Sequence, residues 1–401
     1  MDKIRFGVVG LGHRGRHMAR LAAESFKCAE FVAACDIDPL LWNETQWLQD
    51  KPLKDRFPQV KFYEDYKQML EKNELDLVLV ETGADVHADF CIKALGQNIN
   101  VFSDIPSVSN LDEANRLWQA EQDSKAKLMT GANPNEWGFI NTLVDLYNKG
   151  LLGEPYYMEA EYIHSSKAKP SENPLLLHSP WRKTLPPIRY CTHSLGPLLR
   201  IMKEVLRYAI CVGTGVHVYP EAQKDDMQAA LFQTESGVTV RLLRNGACRA
   251  FIGHHSYRVF GTKGYFERID DRGNAPQVVR FRSDELYGAD TLTELPVGMM
   301  PNEYASNPAA SGHGGADYAL LDHMFNAMLN DDKEFPISLR DGLCMTLPGI
   351  YAAESAKLGG QKLTIHYPWE KEFTEDIAKF DSKLCMTFPA QSDVSAKTGI
   401  L

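Results

Sequence analysis

The feature that most restricts this chain is a glycine pattern, Gly10-Leu11-Gly12-His13-Arg14-Gly15, placed directly behind the apolar run Ile4 to Val9 and at the head of a helical stretch. Few folds turn a strand into a helix in this way. The first two glycines permit a tight turn and close approach of backbone to a diphosphate. The third lets helix pack on strand, and the helix N-terminus adds partial positive charge. Asp36 follows about 20 residues later, at the end of a second apolar run, Phe31 to Cys35, where a carboxylate accepts from ribose hydroxyls. The combination predicts NAD as the cofactor, because the same carboxylate repels the 2′-phosphate of NADP. Arg14 or Arg16 could soften that preference.

Further apolar runs at Leu75 to Val80, Ile99 to Phe102 and Ala126 to Met129 are spaced by helix-length segments. This alternation predicts an α/β Rossmann domain with a parallel, doubly wound sheet over residues 1–131. Residues Trp42 to Gln59 fit the pattern poorly and read as an insertion. Past Gly131 the texture changes. A helix near Phe139 to Lys149 and a turn at Gly150 to Gly153 precede alternating segments at Tyr156 to Ile163, Gln228 to Thr234, Val238 to Leu243, Ser256 to Phe260 and Tyr265 to Ile269. They predict a C-terminal α+β domain, residues 132–368, with a large, mostly antiparallel sheet. Two more helices, about Ala316 to Asn330 and Arg340 to Leu358, belong to it, the second ended by Gly359-Gly360. Residues 369–401 read as a tail packing on the body.

A net charge of −10 repels polyanions, so nucleic acid is not an expected partner. No window approaches the ~20 apolar residues of a membrane span, and Ile4 to Val9 reads as a first strand rather than a signal segment; the expectation is a cytoplasmic protein. The eight cysteines form no CxxC pair and read as reduced thiols. Strand alternation sends His254 and His255 to opposite faces, so no metal site is expected.

On these motifs the chain resembles the Gfo/Idh/MocA family of oxidoreductases. The resemblance also includes Glu81-Thr82-Gly83-Ala84-Asp85-Val86-His87, Lys149 to Glu154 and Phe260-Gly261-Thr262-Lys263-Gly264. It implies cofactor contacts from Gly10, Gly12, His13, Arg14, Gly15, Asp36, Thr82, His87, Asp104 and Pro106. Dehydrogenases of that family carry Glu-Lys-Pro, with the lysine as acid/base; this chain has Asp104-Ile105-Pro106. Isoleucine moves no proton. A branch that also lacks the lysine is glycoside hydrolase family 109, which the chain resembles at Tyr190-Cys191-Thr192-His193-Ser194-Leu195-Gly196-Pro197, at Gly312-His313-Gly314-Gly315-Ala316-Asp317-Tyr318 and at Trp181-Arg182. That branch implies transient oxidation of a sugar C3 hydroxyl by NAD⁺, elimination at C1, addition of water and return of the hydride. Where it has an Asn-x-x-Tyr segment, this chain has Asn133-Pro134-Asn135-Glu136-Trp137, leaving Glu136 as the titratable group.

The catalytic candidates are therefore His193, an imidazole that titrates near neutrality, and Tyr190 beside it. Each has a structural alternative, as a helix-start brace and as an amphipathic core residue. Trp181 and Arg182 read as an aromatic wall and a fork for substrate, or as a packed corner. His87 falls at the carboxyl edge of the sheet near the nicotinamide, or caps the next helix; Asp104 and Pro106 shape the turn beneath it, with Ile105 as a wall. His313, in a glycine-rich helix entrance, is a substrate-binding candidate. Three functions stay open: a dehydrogenase whose carbohydrate product leaves oxidised, a glycosidase with transient redox, and a non-catalytic NAD-binding sensor. The resemblance implies a homo-oligomer, dimer or tetramer.

Overall fold

The computed structural model describes residues 3–46, 50–164, 180–249, 254–268, 278–286 and 292–380. Its first sheet contains β1 (Ile4–Val9), β2 (Ala29–Cys35), β3 (Lys61–Tyr63), β4 (Leu77–Val80), β5 (Asn100–Ser103) and β6 (Leu128–Thr130), in the order β3-β2-β1-β4-β5-β6. Every neighbouring pair is parallel. The connections carry α1 (His13–Ser25), α2 (Leu40–Asn43), α3 (Leu53–Arg56), α4 (Tyr66–Lys72), α5 (His87–Leu95) and α6 (Leu111–Gln122). Helices on both faces explain why all four residues of β4 are apolar and fully buried; each such side chain contributes about 1.5–3 kcal/mol.

The edge strand β3 is three residues long, with Lys61 exposed, too short and too polar to stand out as an apolar run. The segment from Trp42 to Gln59 is the crossover between β2 and β3 rather than an insertion. Trp42 stacks on Phe62 at 5.7 Å, Phe57 meets Phe31 edge-on at 5.3 Å, and Leu53 is fully buried. Its helices have one turn each, which is why helical periodicity did not reveal it.

The strand order reverses between β1 and β4, and there the backbone ladder continues past the strands. Gly10 N–H donates to Cys35 O, Glu81 N–H to Val9 O and Asp104 N–H to Val80 O. Three loops thus open side by side at the carboxyl edge, the crevice where open α/β sheets bind ligands.

The second sheet contains β7 (Pro155–Ile163), β8 (Tyr208–Gly213), β9 (Met227–Gln233), β10 (Thr239–Asn245), β11 (His254–Gly261), β12 (Gly264–Arg268), β13 (Val279–Ser283), β14 (Thr293–Leu295) and β15 (Leu363–Thr364). Its order is β14-β13-β12-β11-β7-β10-β9-β8-β15. Only the β7–β10 pair is parallel. One face buries alternate residues, among them Met158, Ala160, Val240, Leu242, Tyr257 and Val259. The other helices are α7 (Gly138–Asn148), α8 (Thr192–Leu199), α9 (Ala316–Leu329), α10 (Leu339–Lys357) and α11 (Phe373–Lys379); α8 packs on β7 and α10 on β8.

Helix α10 also ties the two sheets together. Thr130 N–H donates to Ile337 O at 2.8 Å, and Gly342 sits so close that a Cβ there would meet Thr130 Oγ1 at 2.1 Å. The helix starts with a reciprocal cap between Ser338 and Asp341, whose loss costs about 1 kcal/mol. Beyond it, Trp369 stacks on Tyr367 at 4.9 Å, Phe373 is buried, and Tyr351 Oη donates to Asp376 at 2.6 Å. The tail therefore packs on the body as far as residue 380; 381–401, like Ile269, lie outside the described residues. No helix among the described residues is long and apolar enough to cross a membrane.

Candidate active site

The glycine loop is built for a diphosphate. Gly10 has φ +88°, and a Cβ on it would lie 2.7 Å from Glu81 O. At Gly15 a Cβ would fall 1.8 Å from Gly10 O, whereas at Gly12 it would meet nothing within 4 Å. Two glycines are thus consumed by packing, and the middle one faces open space over the N-terminus of α1, where the first N–H groups have no intrahelical acceptors. Asp36 is fixed at the rim: one carboxylate oxygen accepts from Leu11 N–H at 2.5 Å and the other from Asp38 N–H at 2.9 Å. Ile37, 86 % exposed beside it, offers an apolar face for an adenine ring. The residues present fit a dinucleotide, which Gly12 and the exposed His13, Asp36 and Ile37 would hold. Ile37 was not singled out from sequence; a large apolar residue directly after the ribose acid was the available signal.

Both arginines of the loop already have partners within the protein. Arg16 donates to Leu11 O at 2.7 Å. Arg14, expected at the cofactor, turns toward the second domain: its guanidinium reaches Asp317 at 2.6 Å and Asp104 at 3.3 Å, with Glu81 at 4.0 Å. Asp317, fully buried on α9, also accepts from Asn133 Nδ2 at 3.2 Å and pairs with His17 at 3.1 Å and His313 Nδ1 at 2.9 Å. Burial would raise its pKa, but Arg14, His17 and His313 together hold it well below the carboxylate range. Burial and the adjacent Asp104 push Glu81 the other way, well up. His313 is thereby locked by Asp317, and Trp137 Nε1 donates to its carbonyl at 3.0 Å. The glycine-rich entrance to α9 is a pinned joint between the domains rather than a flexible lead-in.

His87 is 2 % exposed, with Nε2 2.9 Å from Ser103 Oγ and Nδ1 3.2 Å from Thr82 O. This corrects the expectation of a direct cofactor contact: the ring braces the turn that presents Thr82. Next to it, Ile105 and Pro106 are buried and joined by a cis peptide, while Asp104 stays partly exposed beside Arg14.

His193 and Tyr190 come together as the sequence suggested. Tyr190 Oη lies 3.5 Å from His193 Nε2, with the rings edge to face at 5.1 Å. They are placed by α10, which approaches so tightly that a Cβ on Gly349 would lie 2.5 Å from Cys191 Sγ and 2.6 Å from Ile188 O. Tyr257 Oη donates to His193 O at 2.6 Å. The imidazole is partly exposed, and its buried Nδ1 has no hydrogen-bond partner. Burial first, then His255, His313, Arg244 and Arg14, hold it well below the usual histidine value. It is therefore neutral at physiological pH.

Trp181 lies against the β4 turn, since a Cβ on Gly83 would meet its indole at 3.1 Å. The Arg182 guanidinium stacks on Trp181 at 4.3 Å and lies 5.4 Å from the Tyr190 ring. Both thus border the crevice. Opposite them, Tyr162 of β7 is clasped between the Arg244 guanidinium at 3.8 Å and the His255 ring at 3.9 Å. Tyr162, Lys224, Arg244 and His255 had no local signature; only sheet pairing brings Arg244 and His255 to either side of Tyr162.

Glu136 is directed elsewhere, pairing with His323 at 3.4 Å in a separate cleft of about 690 Å³ that neither His193 nor Arg182 lines. It is thus not the base of this site. Among the described residues no group of three or more His, Cys, Asp or Glu is placed to hold a metal.

Comparison with known proteins agrees with this architecture. Residues 4–132 match the model of the Gfo/Idh/MocA oxidoreductase family, NAD-binding Rossmann fold. The chain is 23 % identical over 404 residues to a glycosyl hydrolase family 109 protein of Shewanella pealeana, spanning 92 % of this chain and 85 % of that one. It is 21 % identical over 403 residues to an α-N-acetylgalactosaminidase of Shewanella oneidensis, with the same coverage, 92 % and 85 %. In three dimensions it resembles levoglucosan dehydrogenase in complex with NADH and L-sorbose, with TM-score 0.75, 15 % identity and coverage of 92 % and 100 %.

Proposed function

We propose that this chain, whose first domain is the NAD-binding Rossmann domain of the Gfo/Idh/MocA oxidoreductases, is an NAD-dependent enzyme that takes hydride from a ring hydroxyl of a carbohydrate. The observation that carries the reading is the neutral His193, 3.5 Å from Tyr190 Oη, with Arg14 of the glycine loop among the charges that act on it. NAD⁺ bound there supplies the hydride acceptor. Tyr190 orients the substrate hydroxyl, and His193 Nε2 takes its proton as the C–H bond breaks. Trp181 and Arg182 hold the sugar against the β4 turn. His313 closes the side toward Arg14, and the buried wall at Ile105 excludes water.

A second reading, glycoside cleavage through transient oxidation, is supported by the two glycosidase-family relatives that span most of the chain and by isoleucine in place of the expected lysine. Incubating the protein with NAD⁺ and a panel of sugars and glycosides, while following NADH absorbance and released reducing ends, separates the two. Accumulating NADH supports oxidation with release; a freed aglycone without NADH supports cleavage. If His193→Ala leaves any measured turnover unchanged, the histidine assignment is wrong. Tight NAD binding with no turnover of any sugar selects the sensor reading instead.

A cytoplasmic homo-oligomer, dimer or tetramer, completes the proposal. Free cysteines at seven described positions suit a reducing compartment, and Tyr156, Val212 and Leu231 lie exposed on strands of the large sheet. Light scattering on the purified protein measures the stoichiometry.

A further inference from the structure

We propose that Arg182, Lys224 and Arg244 form a receptor for an anionic group, so that the carbohydrate bound beside His193 is acidic, carrying a carboxylate, sulfate or phosphate next to its ring. This rests on the carbohydrate reading above and narrows it to a substrate class.

The three cations converge from different parts of the second domain. Lys224 Nζ donates to Arg182 O at 2.7 Å, which leaves two of its three donors for another acceptor. The guanidiniums of Arg182 and Arg244 lie 5.4 Å and 5.2 Å from the same Tyr190 ring. Arg182 Nε is buried without a hydrogen-bond partner. Arg244, 8 % exposed, donates Nε to Tyr190 O at 3.1 Å and one terminal nitrogen to Tyr162 O at 3.0 Å; the other terminal nitrogen remains.

Among the described residues, no carboxylate pairs with any of the three. Two other arginines of this chain show the alternative arrangement, Arg14 matched by Asp317 and Asp104 and the buried Arg189 by Glu354. A chain with net charge −10 has thus gathered three cations where no acid among the described residues answers them. Mutual repulsion opposes that arrangement unless a bound anion offsets it. Burial, followed by the two guanidiniums, holds the Lys224 ammonium down to about 8, the expected effect of crowded like charges. Trp181, stacked under Arg182 and resting on the β4 turn, links the cluster to the crevice. An anion seated there leaves the sugar ring against Tyr190 and His193.

The test uses the full chain loaded with NAD, titrated with matched pairs followed by tryptophan fluorescence: glucose against glucuronate, galactose against galacturonate, and glucose against its 6-sulfate and 6-phosphate. The acidic member of at least one pair should bind ~10-fold or more tighter, the effect of one or two charge-assisted hydrogen bonds, and the pair that responds identifies the anion. Lys224→Met should shrink the acidic-to-neutral ratio ~10-fold and Lys224→Arg should restore most of it, with NAD affinity of each variant as the folding check. Neutral sugars binding as well as their acidic partners, or a ratio that Lys224→Met does not change, overturns the anion receptor and leaves the carbohydrate reading standing. Failure of every sugar, charged or neutral, to bind protein that holds NAD overturns both.

Discussion

Exchanging Gly12 and Gly15 separately for alanine distinguishes a cofactor cradle from a packing contact within one loop. At Gly15 the new methyl would lie 1.8 Å from Gly10 O, and backbone, not a flexible side chain, must move. Overpacking of this kind costs ~1–3 kcal/mol, which in a protein of this size lowers Tm by roughly 1–4 °C. At Gly12 no atom lies within 4 Å of the added methyl, and the backbone is extended in a region open to L-residues, φ −57° and ψ −175°. Stability there should be unchanged or raised by ~0.4–1 kcal/mol. The methyl instead occupies the space the diphosphate needs and costs one or two charge-assisted hydrogen bonds, weakening NAD ~10- to 100-fold. Thermal melts without cofactor and calorimetric NAD titrations read the two effects independently. Wild-type NAD affinity in Gly12→Ala would show that the diphosphate lies elsewhere; a wild-type melt in Gly15→Ala would show that the loop is not packed as described.

Three further outcomes follow from the same geometry. His193 is held neutral well below its ordinary value of 6.5, so the acid limb of kcat/KM should fall below pH 6.5, and an inflection at or above 6.5 refutes the environment described. As the unfolded chain gains a proton there and the folded one does not, this residue's stability contribution is intact above pH 6.5 and declines below it. Asp317→Ala removes the shared acceptor of Arg14, His17, His313 and Asn133; denaturant melts should show a loss of ~3 kcal/mol, at the low end for a broken buried pair because Asp104 still faces Arg14. In the native protein the pKa of Asp317 is depressed below 3.8, so its contribution is complete above that pH and is lost as pH falls through the lower folded value. Asp36→Asn keeps an acceptor for Leu11 N–H but drops the charge, and should narrow the NAD-over-NADP affinity ratio by ~10-fold, about 1.4 kcal/mol; an unchanged ratio means that Asp36 does not face the ribose.

The parts of the molecule legible in its sequence are those specified by local periodicity. β1, the core of β4 and helices α9 and α10 lie within a residue or two of the expected bounds because both faces, or one continuous stripe, are apolar. β14 and β15 have three and two residues, and a period cannot show in so few. At the site, the glycine loop and Asp36 could be read because their spacing is itself the chemistry, and Tyr190 with His193 because they lie three residues apart in one motif. Arg14 was misdirected since its partners Asp104 and Asp317 belong to other elements. His87 looked like a ligand contact because position at a strand end does not reveal whether a ring faces the crevice or, as here, the space between β4 and β5.

The missing lysine poses a chemical problem that the distribution of charge answers. A lysine at that position performs two tasks at once: it takes the hydroxyl proton, and its positive charge favours the developing alkoxide. In this chain Ile105 can do neither. On the reading argued above the tasks are divided, with His193 as the proton acceptor and Arg182, Lys224 and Arg244 as the source of the positive field around Tyr190. The division is physically coherent. The same cations that would favour an alkoxide also disfavour imidazolium, and Arg244 is among the groups that hold His193 neutral. A neutral base in a cationic surround accepts its proton only while negative charge is forming on the substrate, then returns it readily. The acid groups gather instead around Arg14, which Glu81, Asp104 and Asp317 surround. An isolated lysine restored at position 105 would therefore enter a wall that is apolar and buried, without the compensating surroundings that such a group requires.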